Sequence, residues 1–214
     1  MLITLPKVSN QIFSKNILNT INKNFTSIQP IWLPIQMHWM NNLYRTFHDY
    51  EKFMIIMYLM TKTFEYYSKN FVKLNYDEFF SQNEVEVETL NIMEISKKLI
   101  IPKETTRRKI NELEKSGVIK RIKRRTIIDK SMFPFMKPQK SIIRISRFLS
   151  TISNILYQGN ILQSEFESIK IEDFIKNNFS LIWKLYYEVQ IPNLLKWKKV
   201  FKDLETFHVW AVCV

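Results

Sequence analysis

Between Ile101 and Arg125 the chain reads IPKETTRRKINELEKSGVIKRIKRR, and the chemistry this stretch offers is that of the guanidinium group. Arginine presents a rigid fork of N–H donors that matches a phosphate or the O6/N7 edge of guanine, so clustered arginines point to a polyanion. The chain has eight arginines, and five of them, Arg107, Arg108, Arg121, Arg124 and Arg125, lie here. From Glu94 to Lys130, 13 Lys or Arg stand against 5 Asp or Glu, a balance of +8, while the other 177 residues carry only +4 of the total +12. Placement matters more than the total. The abundance of Lys, Ile, Asn and Phe beside only 2 glycines is what AT-biased codons produce, and that bias inflates Lys while depressing Arg. Positive charge focused in arginine therefore predicts an acidic partner such as nucleic acid.

Other chemistries find less support. His38, His48 and His208 are far apart and share no metal-ligand spacing, and the single cysteine, Cys213, supports neither a disulfide nor a cysteine metal cluster. No metal or other cofactor is expected. The isolated Gly117 and Gly159 exclude a Gly-rich phosphate loop, and no nucleophile elbow or kinase-type signature occurs, so an enzyme is not expected. Trp183, Tyr186, Tyr187 and Trp197 are of types that line an effector pocket, at a helical spacing that a core would equally produce. The longest apolar run, FMIIMYLM from Phe53 to Met60, is far shorter than the roughly 20 residues of a membrane-spanning helix. The start MLITLPKVSNQIFSKN lacks the features of a secretion signal. A cytoplasmic protein without a membrane span is expected.

The elements that must position the arginines follow from periodicity. Ile12, Phe13, Ile17, Leu18, Ile21 and Phe25 recur at helical spacing, and the two prolines of SIQPIWLPIQMHWM predict a bend or turn after them. Asp49 is an N-cap for a long helix over YEKFMIIMYLMTKTFEYYSK, whose apolar faces nearly encircle it and predict a buried position. NEVEVETL alternates as an edge strand does. Asn91 and Glu94 form a near-capping box, with Ile95 and Leu99 on one face beyond it. Pro102 suits the first position of the next helix, Thr106, Ile110 and Leu113 form its inward stripe, and Gly117 ends it. VIKRIKRRTIID then predicts a hairpin with Lys123, Arg124 and Arg125 near the tip. After a linker marked by Pro134 and Pro138, a helix should end near Gly159. Others should follow around IEDFIKNNFSLIWKLYYEV, from Pro192, and around LETFHVWAVCV. The uncapped end at WAVCV predicts a packed terminus or a chain that continues beyond it.

The order strand, helix, tight turn, helix and basic hairpin over about residues 84–129 resembles the winged helix-turn-helix of bacterial transcription regulators of the MarR, GntR and cyclic-AMP-receptor type. The matching residues are Ile95, Ser96, Leu99 and Ile101, then Thr106, Ile110 and Leu113, then Gly117, Val118 and Ile119. Thr106 stands where such regulators usually carry an aliphatic residue. The resemblance implies a mainly α fold with a small β-hairpin wing and flanking N- and C-terminal helices. It divides the chain into an N-terminal helical arm (1–48), a DNA-binding domain (49–130), a linker (131–139) and a C-terminal helical region for dimerisation or sensing (140–214).

It further implies sequence-specific binding of duplex DNA by a homodimer, the second helix entering the major groove. Burying Thr106, Ile110 and Leu113 leaves Lys103, Glu104, Thr105, Arg107, Arg108 and Asn111 to face it. Arg107 or Arg108 would read guanine, Asn111 adenine, and Thr105 a base edge or phosphate. Lys97 and Lys98 would meet the backbone, and Lys123, Arg124 and Arg125 the minor groove or flanking phosphates. Two other functions use the same element: a replication or plasmid-maintenance initiator, and a protein-interaction module with an acidic partner.

Overall fold

The computed structural model describes residues 12–87, 90–123, 125–132 and 137–213. It is mainly α, with ten helices among the described residues and one small antiparallel sheet. Contacts between residues group into two units, described through their resolved elements: Met37–Pro138 with Phe174–Val214, and Met1–Gln36 with Gln139–Asp173. The unit that holds the sheet is thus larger than the 49–130 segment read from the sequence, because helix α9 (Phe179–Phe201), from the C-terminal region, packs along α3 (Tyr50–Lys69).

Helix α3 is the centre of that larger unit. Asp49 caps it, accepting a hydrogen bond from the Lys52 amide at 3.0 Å. Met54, Ile55, Ile56 and Met57 have no exposed surface, so successive residues on all sides are covered, as the encircling apolar pattern predicts. Burying one such side chain contributes about 1.5–3 kcal/mol. Aromatic rings extend this core: Phe64 lies 5.4 Å from Phe79 of α4 (Tyr76–Ser81), and Phe179 stacks on Trp183 at 5.2 Å. The short α4 has no counterpart in the periodicity reading. A complete capping box between Asn75 and Glu78 starts it.

The sheet has the order β1-β3-β2, formed by Glu84–Val87, Arg125–Asp129 and Ile119–Ile122. Strand β1 is an edge, pairing Val85 with Ile128, and its valines are buried while its glutamates are exposed. Helices α5 (Ile92–Leu99) and α6 (Lys103–Lys115) lie between β1 and β2 in the chain. A single 3-10 turn, Lys130–Met132, follows β3.

Three prolines act differently from their sequence reading. Pro30 and Pro34 lie inside one continuous helix, α2 (Phe25–Phe47), which follows α1 (Ser14–Lys23), and Pro192 lies inside α9 instead of opening a new helix. All three are exposed. A helical proline frees the carbonyl four residues back, here those of Thr26, Pro30 and Glu188, and these residues are also exposed, on the side where water can reach them. In α9 the buried stripe Phe179, Trp183, Tyr187, Gln190, Leu194 runs past Pro192 on the other face. The run IEDFIKNNFSLIWKLYYEV is divided instead at Asn178, between α8 (Ser168–Asn177) and α9.

In the second unit, α1 packs against α7 (Gln139–Gln158), which stops just before Gly159 as read. The rings of Trp32 and Phe148 lie 5.1 Å apart, and the Ser153 hydroxyl accepts from the Phe166 amide at 2.9 Å. The last helix, α10 (Leu204–Cys213), buries Leu204, Phe207 and Ala211, while Val209, Trp210 and Val212 are exposed. No helix among the described residues is long and apolar enough to cross a membrane.

Burial holds the phenols of Tyr50, Tyr58, Tyr186 and Tyr187 above their ordinary value, that of Tyr187 at about 12. In the unfolded chain these groups ionise near pH 10, so above it the unfolded state has lost protons that the fold retains, and stability falls with rising pH. The urea midpoint should therefore drop between about pH 10 and about pH 12. Tyr187→Phe should flatten the dependence by about 1.4 kcal/mol per pH unit, measured by circular dichroism; an unchanged slope would refute this origin.

Candidate nucleic-acid interface

Local chemistry sets α5 and α6 at a tight turn. The Asn91 side chain accepts from the amides of Met93 and Glu94 at 3.0 and 3.2 Å and so starts α5. Glu94 does not return the bond expected of a capping box; its carboxylate accepts from the Tyr58 hydroxyl and pairs with Lys62 at 3.4 Å. These partners hold it below the usual carboxylate range, the Tyr58 hydrogen bond most of all. Helix α5 ends at Ile100, whose φ of 53° is left-handed. Ile101 is buried, its amide donating to Ser96 O at 3.1 Å and its carbonyl accepting from Ser96 Oγ at 2.7 Å.

Pro102 occupies the cap of α6 and not its first helical position: its ψ of 140° is extended, while its carbonyl accepts from the Thr106 amide at 2.8 Å. Thr106 is fully buried, and its hydroxyl donates to Pro102 O at 3.1 Å, which lets a polar residue sit where an aliphatic one is usual. Ile110 and Leu113 complete the inward stripe. At the other end, Gly117 adopts a φ of 77°, the Gly117 amide donates to Glu114 O and the Val118 amide to Leu113 O, both at 3.0 Å. This is a Schellman stop, closed by the buried pair Leu113 and Val118.

With that stripe inward, Lys103, Glu104, Arg107, Arg108 and Asn111 are exposed on α6 and Thr105 is half-buried. Lys97 and Lys98 are exposed on the last turn of α5. Ile122 faces Arg125 across the hairpin, so only residues 123 and 124 connect the strands; Lys123 has a φ of 57° and, like Arg125, is exposed. Arg124 lies outside the described residues. Lys115, which the sequence reading passed over, borders the same open depression as Arg107, Arg108 and Asn111. Its signal was its position two turns beyond Arg108 on the same face.

The charges are less free than the linear count suggests. Arg107 pairs with Glu104, Arg108 with Glu112 at 3.2 Å, Arg121 with Glu114, and Arg125 with Glu86 at 3.5 Å. Lys109 points the other way, to Asp49 at the cap of α3, and Glu112 also pairs with Lys52 of α3 at 2.8 Å. The Lys52 contact keeps Glu112 below the usual carboxylate range. Lys109 and Glu112 thus clamp α6 to α3, a role hidden in a sequence where Lys109 looks like one more exposed cation. Lys97, Lys103, Lys115 and Lys123 form no ion pair among the described residues.

Exposed ion pairs within a helix contribute about 0.3–0.5 kcal/mol. A bidentate arginine–guanine pair discriminates by about 1–3 kcal/mol, so Arg107 and Arg108 can exchange their carboxylates for a nucleic acid at small cost. Family models, curated proteins and solved structures were compared with the chain, and none matched. Among the described residues no group of three His, Cys, Asp or Glu side chains is placed to hold a metal ion.

A Cβ at Gly117 would meet only Met132 Cε at 3.7 Å, an ordinary contact, so the position demands glycine through its backbone alone. Gly117→Ala should destabilise by about 1–2 kcal/mol in urea unfolding without loss of helix content. Gly117→Asn should cost less, because Asn tolerates the left-handed region better. Equal stability of all three proteins would remove the stop from the account.

Proposed function

We propose that the chain is a cytoplasmic, non-enzymatic regulator of transcription that binds duplex DNA through a winged helix-turn-helix. In this reading α5 and α6 are the helix pair, α6 enters the major groove, and the β2–β3 hairpin is the wing. One observation carries it. Helix α6 is clamped from behind by Thr106, Ile110, Leu113 and Lys109, and its outward face, together with the hairpin tip, presents Lys103, Arg107, Arg108, Asn111, Lys115, Lys123 and Arg125 in exposed positions.

Lys97 at the end of α5 and Lys123 at the tip carry the unpaired charges best suited to phosphate, which position the protein, while Arg107, Arg108 and Asn111 supply the groups that distinguish bases. A homodimer would set two α6 helices about 34 Å apart on a near-palindromic site.

Selection from random duplex DNA, followed by titration of the selected site, tests this. The variant with Arg107, Arg108, Arg124 and Arg125 all changed to Ala should lose at least about 100-fold in affinity, two contacts' worth at about tenfold each. Its salt dependence should flatten by about one slope unit per lost phosphate contact. Glu104→Gln, which releases Arg107, should tighten binding about two- to fivefold. Equal binding by wild type and the fourfold variant would reject the reading, and directly repeated selected sites would favour a replication initiator over a dimeric regulator.

A further inference from the structure

Within the sheet-bearing unit lies a cavity of about 180 Å³, away from the exposed face of α6. Its walls are mostly apolar and aromatic, with Met60 and Phe64 from α3, Phe79 from α4, Ile128 from β3, and Phe179 and Trp183 from α9, and Gln82, Asn83 and Ser131 add polar groups. Of the four aromatic residues singled out in the sequence, Trp183 and Tyr187 line it. Trp197 stacks on Phe207 at 4.6 Å, and Tyr186 packs on Trp39 at 5.8 Å.

At one side of this apolar space stands a cation. Lys130 Nζ donates to the Phe79 carbonyl and lies 3.9 Å from the centroid of the Phe79 ring and 5.3 Å from that of Phe80. It makes no ion pair with a described residue, and the described residues around the cavity include Lys130 and Lys137 but neither Asp nor Glu. The nearest carboxylate in sequence, Asp129, is already taken by Lys120 at 2.8 Å and by Ser131. An ammonium has three donors; the carbonyl takes one, and ring faces 3.9 and 5.3 Å away are weaker partners for the others than the oxygens of an anion. Burial lowers the Lys130 amine to about 8, which still leaves it mostly protonated at neutral pH. A cation desolvated against rings with no counter-ion among the described residues is costly, and a largely apolar cavity with a few convergent polar groups, here Lys130 with Lys137, Gln82, Asn83 and Ser131, is the usual form of a small-ligand site.

The geometry points to a binding site for a small aryl carboxylate, its ring among Phe64, Phe79, Phe179 and Trp183 and its carboxylate on Lys130 Nζ. Size agrees: an apolar cavity of about 150 Å³ holds benzene, so the present one takes a single ring with a short acidic arm. Inorganic phosphate and other strongly hydrated anions are disfavoured because most of the wall offers no hydrogen bond. Binding at this cavity needs no DNA and is independent of the proposed duplex reading.

The test is isothermal titration of the full chain at neutral pH, without DNA, using 3-phenylpropionate, its uncharged amide and propionate. The acid should bind at least about tenfold tighter than the amide, the worth of a charge-assisted hydrogen bond, and tighter than propionate, which lacks the ring. Lys130→Met, which keeps the apolar stem, should remove that advantage while leaving amide binding within about twofold. If that variant fails to fold, acetylation of wild-type Lys130 followed by mass spectrometry replaces it: the acid should protect Lys130 and the amide should not. Equal binding of acid and amide, absence of binding at millimolar ligand, or an acid affinity unaltered by Lys130→Met would each overturn the proposal.

Discussion

The turn from Ile100 to Pro102 fixes the angle between α5 and α6, and with it the direction in which every exposed side chain of α6 points. A β-branched residue in the left-handed region costs about 1–2 kcal/mol, so the surroundings must hold Ile100 there. They do so from three sides. Ile101 is buried behind the turn, Ser96 bonds both backbone groups of Ile101, and Lys198 of α9 donates to the Ile100 carbonyl at 3.2 Å while pairing with Glu51 of α3 at 2.8 Å. Strain that persists because its neighbours over-determine it is characteristic of segments whose geometry matters. The dependence runs outward from there: had α5 and α6 met at another angle, Lys109 would not reach Asp49, and α6 would lose its hold on α3.

Electrostatics divides the basic segment into two populations. Lys109, Lys120 and Lys130 hold elements of the fold together, the first on Asp49, the second bridging Glu84 and Asp129 at the surface of the sheet, the third against Phe79. Arg107, Arg108, Arg121 and Arg125 are exposed but matched to local carboxylates, while Lys97, Lys103, Lys115 and Lys123 are exposed and form no ion pair among the described residues. This arrangement keeps the free protein from presenting an unscreened block of like charge, while each surface pair is weak enough to be replaced by a polyanion. Charge density along the sequence therefore overstates the field that the surface presents.

Much of the α5–α6 region was legible because its signals are local. Asn91 as a cap, Gly117 as a stop, and the spacing of Thr106, Ile110 and Leu113 depend on neighbours within a turn or two, and the exposed residues of α6 follow by subtraction. What escaped depends on distant segments. Lys109 finds Asp49 sixty residues away. Glu94 leaves its own cap for Tyr58, 36 residues back. The prolines at 30, 34 and 192 were read as breaks because the rule concerns the missing N–H, while the outcome rests on whether the freed carbonyl faces water, which only the folded chain decides. Helix α4 is the opposite case: Asn75 and Glu78 spell its capping box locally, but six residues are too few to show a period.

The hairpin that carries Lys123 rises from a small sheet. Its base is tied on both sides. Asp129 joins Lys120 of β2 to the turn at Ser131, and the Lys130 amide donates to Asn83 O at 2.6 Å, just before β1 begins. Arg125 pairs with Glu86 across β1, so even the strand nearest the tip is held to its neighbour. Ordering a mobile side chain at an interface costs about 0.5–1.5 kcal/mol, and a long floppy loop would add backbone ordering to that. A short connection on an anchored base leaves less backbone to order than such a loop would. The same anchoring puts Lys130 at the wall of the apolar cavity, where its charge is unavailable to the tip.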